Sequence, residues 1–190
     1  MADLPKYYWD ACAWIALIQQ EPGRFDDLKY VVEQAKAEKV EIWTSNFTLA
    51  EVFKRPCDSE QKGLTIVEDT EFEAFMLQDL VQRVQVDFDV GTLARRLLRA
   101  YPSIAKPQDA IHLSTALLNN VDELHTFDRA NLTGLSGKIK RKDGKTLKIC
   151  SPPKKPVPAQ PPKTPIEQAI DDKIAEQNGK NQSKVSTGEG

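Results

Sequence analysis

The stretch KYYWDACAWIALI, residues 6–18, decides how the rest of the chain is read. Tyr7, Tyr8 and Trp9 suit a buried strand, because aromatic side chains pack well on a pleated surface. An apolar run of helical length then starts at Ala11 with no turn residues between. Asp10 stands at the joint, where an unpaired charge is costly. A strand passing directly into a helix is the opening of a parallel α/β unit, and it puts Asp10 at the carboxyl edge of the sheet.

The same alternation continues outward. Strand patterns fall at residues 7–9, 40–44, 84–88, 123–127 and 147–150, and helical patterns at 11–20, 25–39, 45–54, 67–82, 90–101 and 107–119. Repeated strand-then-helix order predicts a mostly parallel sheet with helices on both faces. Near its end, KIKRKDGKTLKI (138–149) reads as a basic hairpin with a type I′ turn at Asp143-Gly144.

Composition changes at residue 150. Seven of the twelve prolines lie in 151–190, a segment with no Phe, Tyr, Trp or Leu. It lacks the apolar surface to offset its ordering entropy. The expected organisation is one folded domain over 1–150 and a Pro-rich, mostly disordered tail over 151–190, with a short helix possible at 165–178 behind the box Thr164-Pro165-Ile166-Glu167.

Charge and cysteine content narrow the class. A formal net charge of −2 on 190 residues gives no global attraction to nucleic acid, so any phosphate-binding surface must be local. No run approaches the roughly 20 apolar residues of a membrane span, and residues 1–30 lack the order of a secretory signal. Cys12, Cys57 and Cys150 form no Cys-x-x-Cys pair and read as reduced thiols of a cytoplasmic protein.

Four acids converge on one sheet edge by this geometry. Asp10 follows the first strand, and Glu51 sits in the second turn of the helix after VEIWT (40–44). Asp109 is in the first turn of the helix opened by Pro107, and Asp128 follows ELHTF (123–127). Each has an ordinary explanation alone: an N-cap for Asp10, an ion pair with Lys54 or Arg55 for Glu51, a helix-dipole partner for Asp109, a turn residue for Asp128. Together they would repel unless a cation lay among them. Oxygen-only donors suit Mg²⁺ or Mn²⁺ rather than zinc, and such ions support phosphoryl transfer to water, two of them sharing the task when about 4 Å apart.

The segments YYWDACAWIALI (7–18), TSNFTLAEVF (44–53), PQDAIHLSTAL (107–117) and LHTFD (124–128) together closely resemble the PIN-domain nucleases, including the VapC-like ribonuclease toxins. The resemblance covers residues 6–150 and leaves the tail outside. It implies a three-layer α/β/α sandwich and Mg²⁺- or Mn²⁺-dependent endonucleolytic cleavage of RNA. It also implies a toxin–antitoxin context, with an antitoxin protein as partner and a homodimer of the enzyme. Asp10, Glu51 and Asp109 match the family's core metal-binding acids, Asp128 the fourth, and Thr126 the polar residue beside it. Two positions depart from the pattern. Cys12 stands where many members carry a hydroxyl or amide that orients the first acid, and Arg129 and Asn131 lie where a further acid is common; Asn131 retains the ability to make a water-mediated contact.

Among the basic residues, Lys106 and Arg129 flank acids and are the expected RNA-backbone contacts; Arg95, Arg96 and Arg99 cluster on one helix. For Lys138, Lys140, Arg141, Lys142, Lys145 and Lys148, RNA binding and protection of a sheet edge are both open readings. His112 is expected to pack or donate a hydrogen bond beneath the site, and His125 has no Ser or Cys partner for nucleophilic chemistry. Trp9, Trp14 and Trp43 read as core. The competing functional class is a catalytically silent PIN-like module that binds RNA or protein. No Gly-rich nucleotide-binding motif is present, and the aspartate-nucleophile phosphatase pattern fails at Cys12.

Overall fold

The computed structural model describes residues 3–53, 63–127, 132–156 and 173. β1 (Lys6–Trp9) is the middle of a five-stranded sheet ordered β3-β2-β1-β4-β5. Its neighbours are β2 (Glu41–Ser45) and β4 (Glu123–His125), with β3 (Val81–Val84) and β5 (Lys148–Cys150) at the edges. Every pairing is parallel, and Tyr8 stands opposite Trp43 on one side and Leu124 on the other.

A central parallel strand has no solvent-facing side, so the alternation in β1 splits its aromatics between two cores. Trp9 packs with α1 (Ala11–Ile18), α2 (Phe25–Lys36) and α4 (Ile66–Met76). Tyr8 packs on the opposite face with α5 (Phe88–Ala100) and α6 (Pro107–Leu118). Neither exposes any surface. This is the expected three-layer α/β/α sandwich. The chain runs outward from β1 to β3, then returns to place β4 on the other side of β1. The strand order reverses between β1 and β4, and ligands of open α/β sheets bind at such a switch point beyond the strand ends.

Several expected boundaries differ. The third strand is Val81–Val84, not 84–88, and α4 ends at Met76 rather than 82. Asp87 accounts for the shift: its carboxylate accepts the Val90 amide at 2.9 Å and starts α5 at Phe88. The helix expected over 45–54 is a single turn, α3 (Thr48–Glu51), because Ser45 still belongs to β2. Glu51 therefore closes that turn instead of lying in a second one. The hairpin turn is not type I′, since Gly144 has positive φ (85°) and Asp143 does not. Gly144 N–H donates to Arg141 O at 3.0 Å and Arg141 N–H to Lys145 O at 2.8 Å, the pattern of a type I turn followed by a left-handed glycine.

Arg141 belongs to the fold and not to a basic surface. It is buried, donating to Asp122 at 2.5 Å, to Asp143 at 2.7 Å and to the Val121 carbonyl at 2.9 Å. Burial alone would lower its pKa; the two carboxylates outweigh that and raise it. The first compact unit extends beyond residue 150, covering Met1–Lys155, and the second is Pro156–Gly190. Within the first unit Asp27 accepts from Lys154 Nζ at 2.7 Å and the Lys155 amide at 2.9 Å. Burial pushes the Asp27 carboxyl up, but these bonds prevail and hold it below the ordinary range. The helix expected at 165–178 lies outside the described residues apart from Lys173. No described helix is long and apolar enough to cross a membrane.

Three helices end in the same way. After α1, α2 and α6 the chain places Gln20, Glu38 and Asn120 in the left-handed region, with φ of 50°, 54° and 54°. The next amide reaches back five residues in each case: Glu21 to Ala16 O, Lys39 to Gln34 O, Val121 to Ala116 O. These are Schellman closures built without glycine. A left-handed non-glycine residue costs about 1 kcal/mol. Glu38 is exposed, so Glu38→Gly is expected to stabilise the fold by about 0.5–1 kcal/mol, read as a higher urea midpoint with unchanged slope.

Candidate active site

Asp10 is both the N-cap of α1 and a buried acid. Its backbone is extended, its Oδ1 accepts the Ala13 amide at 3.1 Å, and it is 6% exposed. Cys12 donates its S–H across the two carboxylate oxygens, with Sγ 2.9 Å from Oδ1 and 3.0 Å from Oδ2. The thiol therefore occupies the orienting position expected of a hydroxyl. Burial first, and then the negative charge of Asp10, push its pKa up to about 12, so it stays a donor. Thr126 is fully buried with its Oγ1 3.5 Å from Cys12 Sγ, which ties the end of β4 to the start of α1.

Glu51 is positioned by a relay that begins in the second core. The Tyr8 hydroxyl lies 2.7 Å from His112 Nδ1, and His112 Nε2 pairs with Glu51. The two ring nitrogens of His112 therefore bridge the phenol of β1 and the carboxylate of α3. Burial raises the Tyr8 phenol well above its usual range and keeps it a donor. His112 thus lies beneath the site as a support. Asp109 is half-buried in the first turn of α6, behind Pro107 at N1 and Lys106 at the N-cap.

One cleft of about 410 Å³ is lined by Asp10, Glu51 and Asp109 together with Cys12 and His112. Lys106 lines it as expected, and Glu21 and Arg24 line it as well. Those last two were missed because they sit in the α1–α2 loop, where neither periodicity nor a motif marks them. Asp128, Arg129 and Asn131 lie outside the described residues, as do Lys54, Arg55 and Cys57. Arg95, Arg96 and Arg99 are exposed on α5 and do not line the cleft. A larger hollow of about 620 Å³ lies beside Leu49, Met76 and Leu77; among the described residues Glu73 is the one acid lining it, so these supply no clustered donor set.

A second group of potential ligands, Glu123, His125 and Cys150, lies within 4.8 Å. Its hydrogen bonding argues against a metal. Trp9 Nε1–H donates to His125 Nδ1 at 3.1 Å, leaving the ring proton on Nε2, which faces Glu123 at 3.1 Å. An ion on Nε2 would force that proton onto Nδ1, against the indole N–H. The group reads as a closed structural network: the His125 bond, then Lys148, hold Glu123 down at about 2 despite burial, and burial raises Cys150 to about 11.

An acid-lined cleft at the switch point of a parallel α/β/α sandwich defines a class, the open-sheet proteins that hold ligands at their strand ends. The sequence profile of the PIN domain matches residues 7–133, and the chain belongs to that family. Solved structures share the fold. VapC20 of Mycobacterium tuberculosis, described as a sarcin–ricin loop cleaving toxin, is 20% identical with a TM-score of 0.50, covering 64% of this chain and 89% of its own. A toxin–antitoxin complex from Klebsiella pneumoniae is 21% identical with a TM-score of 0.50, covering 68% and 92%. No curated protein matches the chain in sequence.

The state of Cys12 can be read chemically. Its alkylation by iodoacetamide at pH 8, followed by peptide mass spectrometry, is expected to run at least about 100-fold slower than that of an exposed cysteine peptide. Asp10→Asn removes a charge that raises the thiol pKa, so it should speed the reaction.

Proposed function

We propose that the protein is a metal-dependent endoribonuclease hydrolysing RNA phosphodiester bonds, with Asp10, Glu51 and Asp109 as its metal-binding acids and Asp128 as a fourth. The observation that carries this reading is that three carboxylates from three separate elements line one cleft beyond the ends of the strands. The donor set is all oxygen, which fits Mg²⁺ or Mn²⁺. The clustering of like charges, with Asp10 and Glu51 each held by a hydrogen-bonding neighbour, makes sense around a hard cation.

When bound, such an ion supplies a more acidic water and stabilises charge at the phosphate. The protein's own residues position the participants. Asp10 is held by the Ala13 amide and the Cys12 thiol, so its carboxylate does not have to reorganise. Glu51 is held by His112. Lys106, at the start of the helix that carries Asp109, sets a positive charge against an incoming phosphodiester. Thr126 and Asn131 are proposed to steady a water or the fourth acid, and Arg129 to contact the RNA backbone.

The toxin reading takes support from fold neighbours that are themselves a toxin and a toxin–antitoxin complex. On that reading the chain acts in the cytoplasm, pairs with a second copy of itself and is inhibited by an antitoxin protein. The test of the enzymatic core is cleavage of single-stranded RNA by the full chain with Mg²⁺ or Mn²⁺. Asp10→Asn and Asp109→Asn should each lower the rate by about 100-fold or more with the folded state retained. Cleavage indifferent to both substitutions and to chelator would overturn the assignment, and RNA binding without any cleavage would favour a silent module.

A further inference from the structure

A phosphodiester entering this cleft meets four lining carboxylates: Asp10, Glu21, Glu51 and Asp109. Among the described residues only Lys106 and Arg24 bring permanent positive charge to the lining. Lys106 is exposed. Arg24 is pre-organised. Its guanidinium carbon lies 4.6 Å from the centroid of the Phe127 ring, and its Nη1 donates to Glu21 Oε2 at 2.6 Å.

The backbone beneath this pair is also closed. Glu21 donates its amide to Ala16 O at 2.9 Å in the Schellman closure of α1, and its carbonyl accepts from Arg24 N at 3.1 Å and Phe25 N at 3.0 Å. Glu21 and Arg24 therefore sit on one tight loop, joined at both backbone and side chain. The pair is nevertheless wet, with side-chain exposures of 31% and 43%. A half-exposed ion pair of this kind adds little to stability, so its place in an acidic cleft calls for another reason.

We infer that Arg24 binds an RNA-backbone phosphate at this cleft and that Glu21 is its placeholder, occupying the guanidinium until a phosphate takes its position. The inference rests on the ribonuclease reading above and names a contact that reading lacked. The chemistry is a partner exchange. The guanidinium rests over the Phe127 ring and its side chain is partly open to solvent, and a guanidinium offers a phosphate two parallel donors, which lysine cannot reproduce. Glu21 holds the guanidinium in an ion pair in the free protein, so substrate meets a donor already in place.

The test is equilibrium binding of labelled single-stranded RNA to the full-length Asp10→Asn protein at fixed Mg²⁺, across a potassium chloride series. Adding Arg24→Gln should weaken binding about tenfold and reduce the slope of log K against log salt by about 0.7, the increment for one phosphate on a single strand. Arg24→Lys should restore the slope but not the full affinity. Glu21→Gln should tighten binding several-fold, because the guanidinium is released. A merely structural pair would give the opposite pattern: unchanged slope for Arg24→Gln and no gain for Glu21→Gln. That result overturns the inference and leaves the nuclease reading standing. If Arg24→Gln fails to fold, the Glu21→Gln measurement decides alone. Absence of RNA binding by the Asp10→Asn parent, joined to absence of cleavage by wild type, removes both.

Discussion

Enclosure of β1 on both faces is the constraint from which the site follows. Tyr8 and Trp9 leave no surface of the strand to water, so the chain cannot change direction until it has passed the sheet edge. Asp10 is the first residue beyond the ladder, and α1 begins directly after it. The acid therefore has almost no positional freedom. Its carboxylate is buried, and it is tolerated because the Ala13 amide and the Cys12 thiol supply the hydrogen bonds that water would otherwise provide.

The second acid depends on tertiary contacts to a greater degree. A single helical turn such as α3 does not hold itself together, since nucleation is unfavourable and only one turn is formed. His112 supplies the missing support from α6, and Tyr8 supports His112 from β1. Glu51 is thereby referred to the same strand that positions Asp10. The sheet, both cores and the cleft form one mechanical unit, in which the aromatic packing of β1 determines where two of the carboxylates stand.

Particular residues show what was legible beforehand. The strand-to-helix joint at Asp10, the proline-opened helix carrying Asp109 and the alternation of periods are local signals, and they led to the right layers and the right edge. The third strand lies earlier than its pattern suggests because Asp87, which reads as a strand residue, caps α5 through the Val90 amide. Arg141 is one of six cations in a basic stretch; its burial depends on Asp122, nineteen positions away in the chain, and on a turn closed by the left-handed Gly144. Glu21 and Arg24 escaped notice because a loop side chain enters a cleft only when its flanking helices are docked.

By itself the amino-acid sequence determined the elements whose cause is local: periodic burial, the cap at Asp10, and the proline at the head of α6. Tertiary structure alone decided which face each aromatic of β1 fills, that a thiol serves Asp10, that His112 holds Glu51, and that Arg24 stands among the acids. The division has a physical reason. Capping, periodicity and composition act over a few residues, whereas the partners of a buried charge are drawn from whatever segments packing brings together, and that cannot be read along the chain.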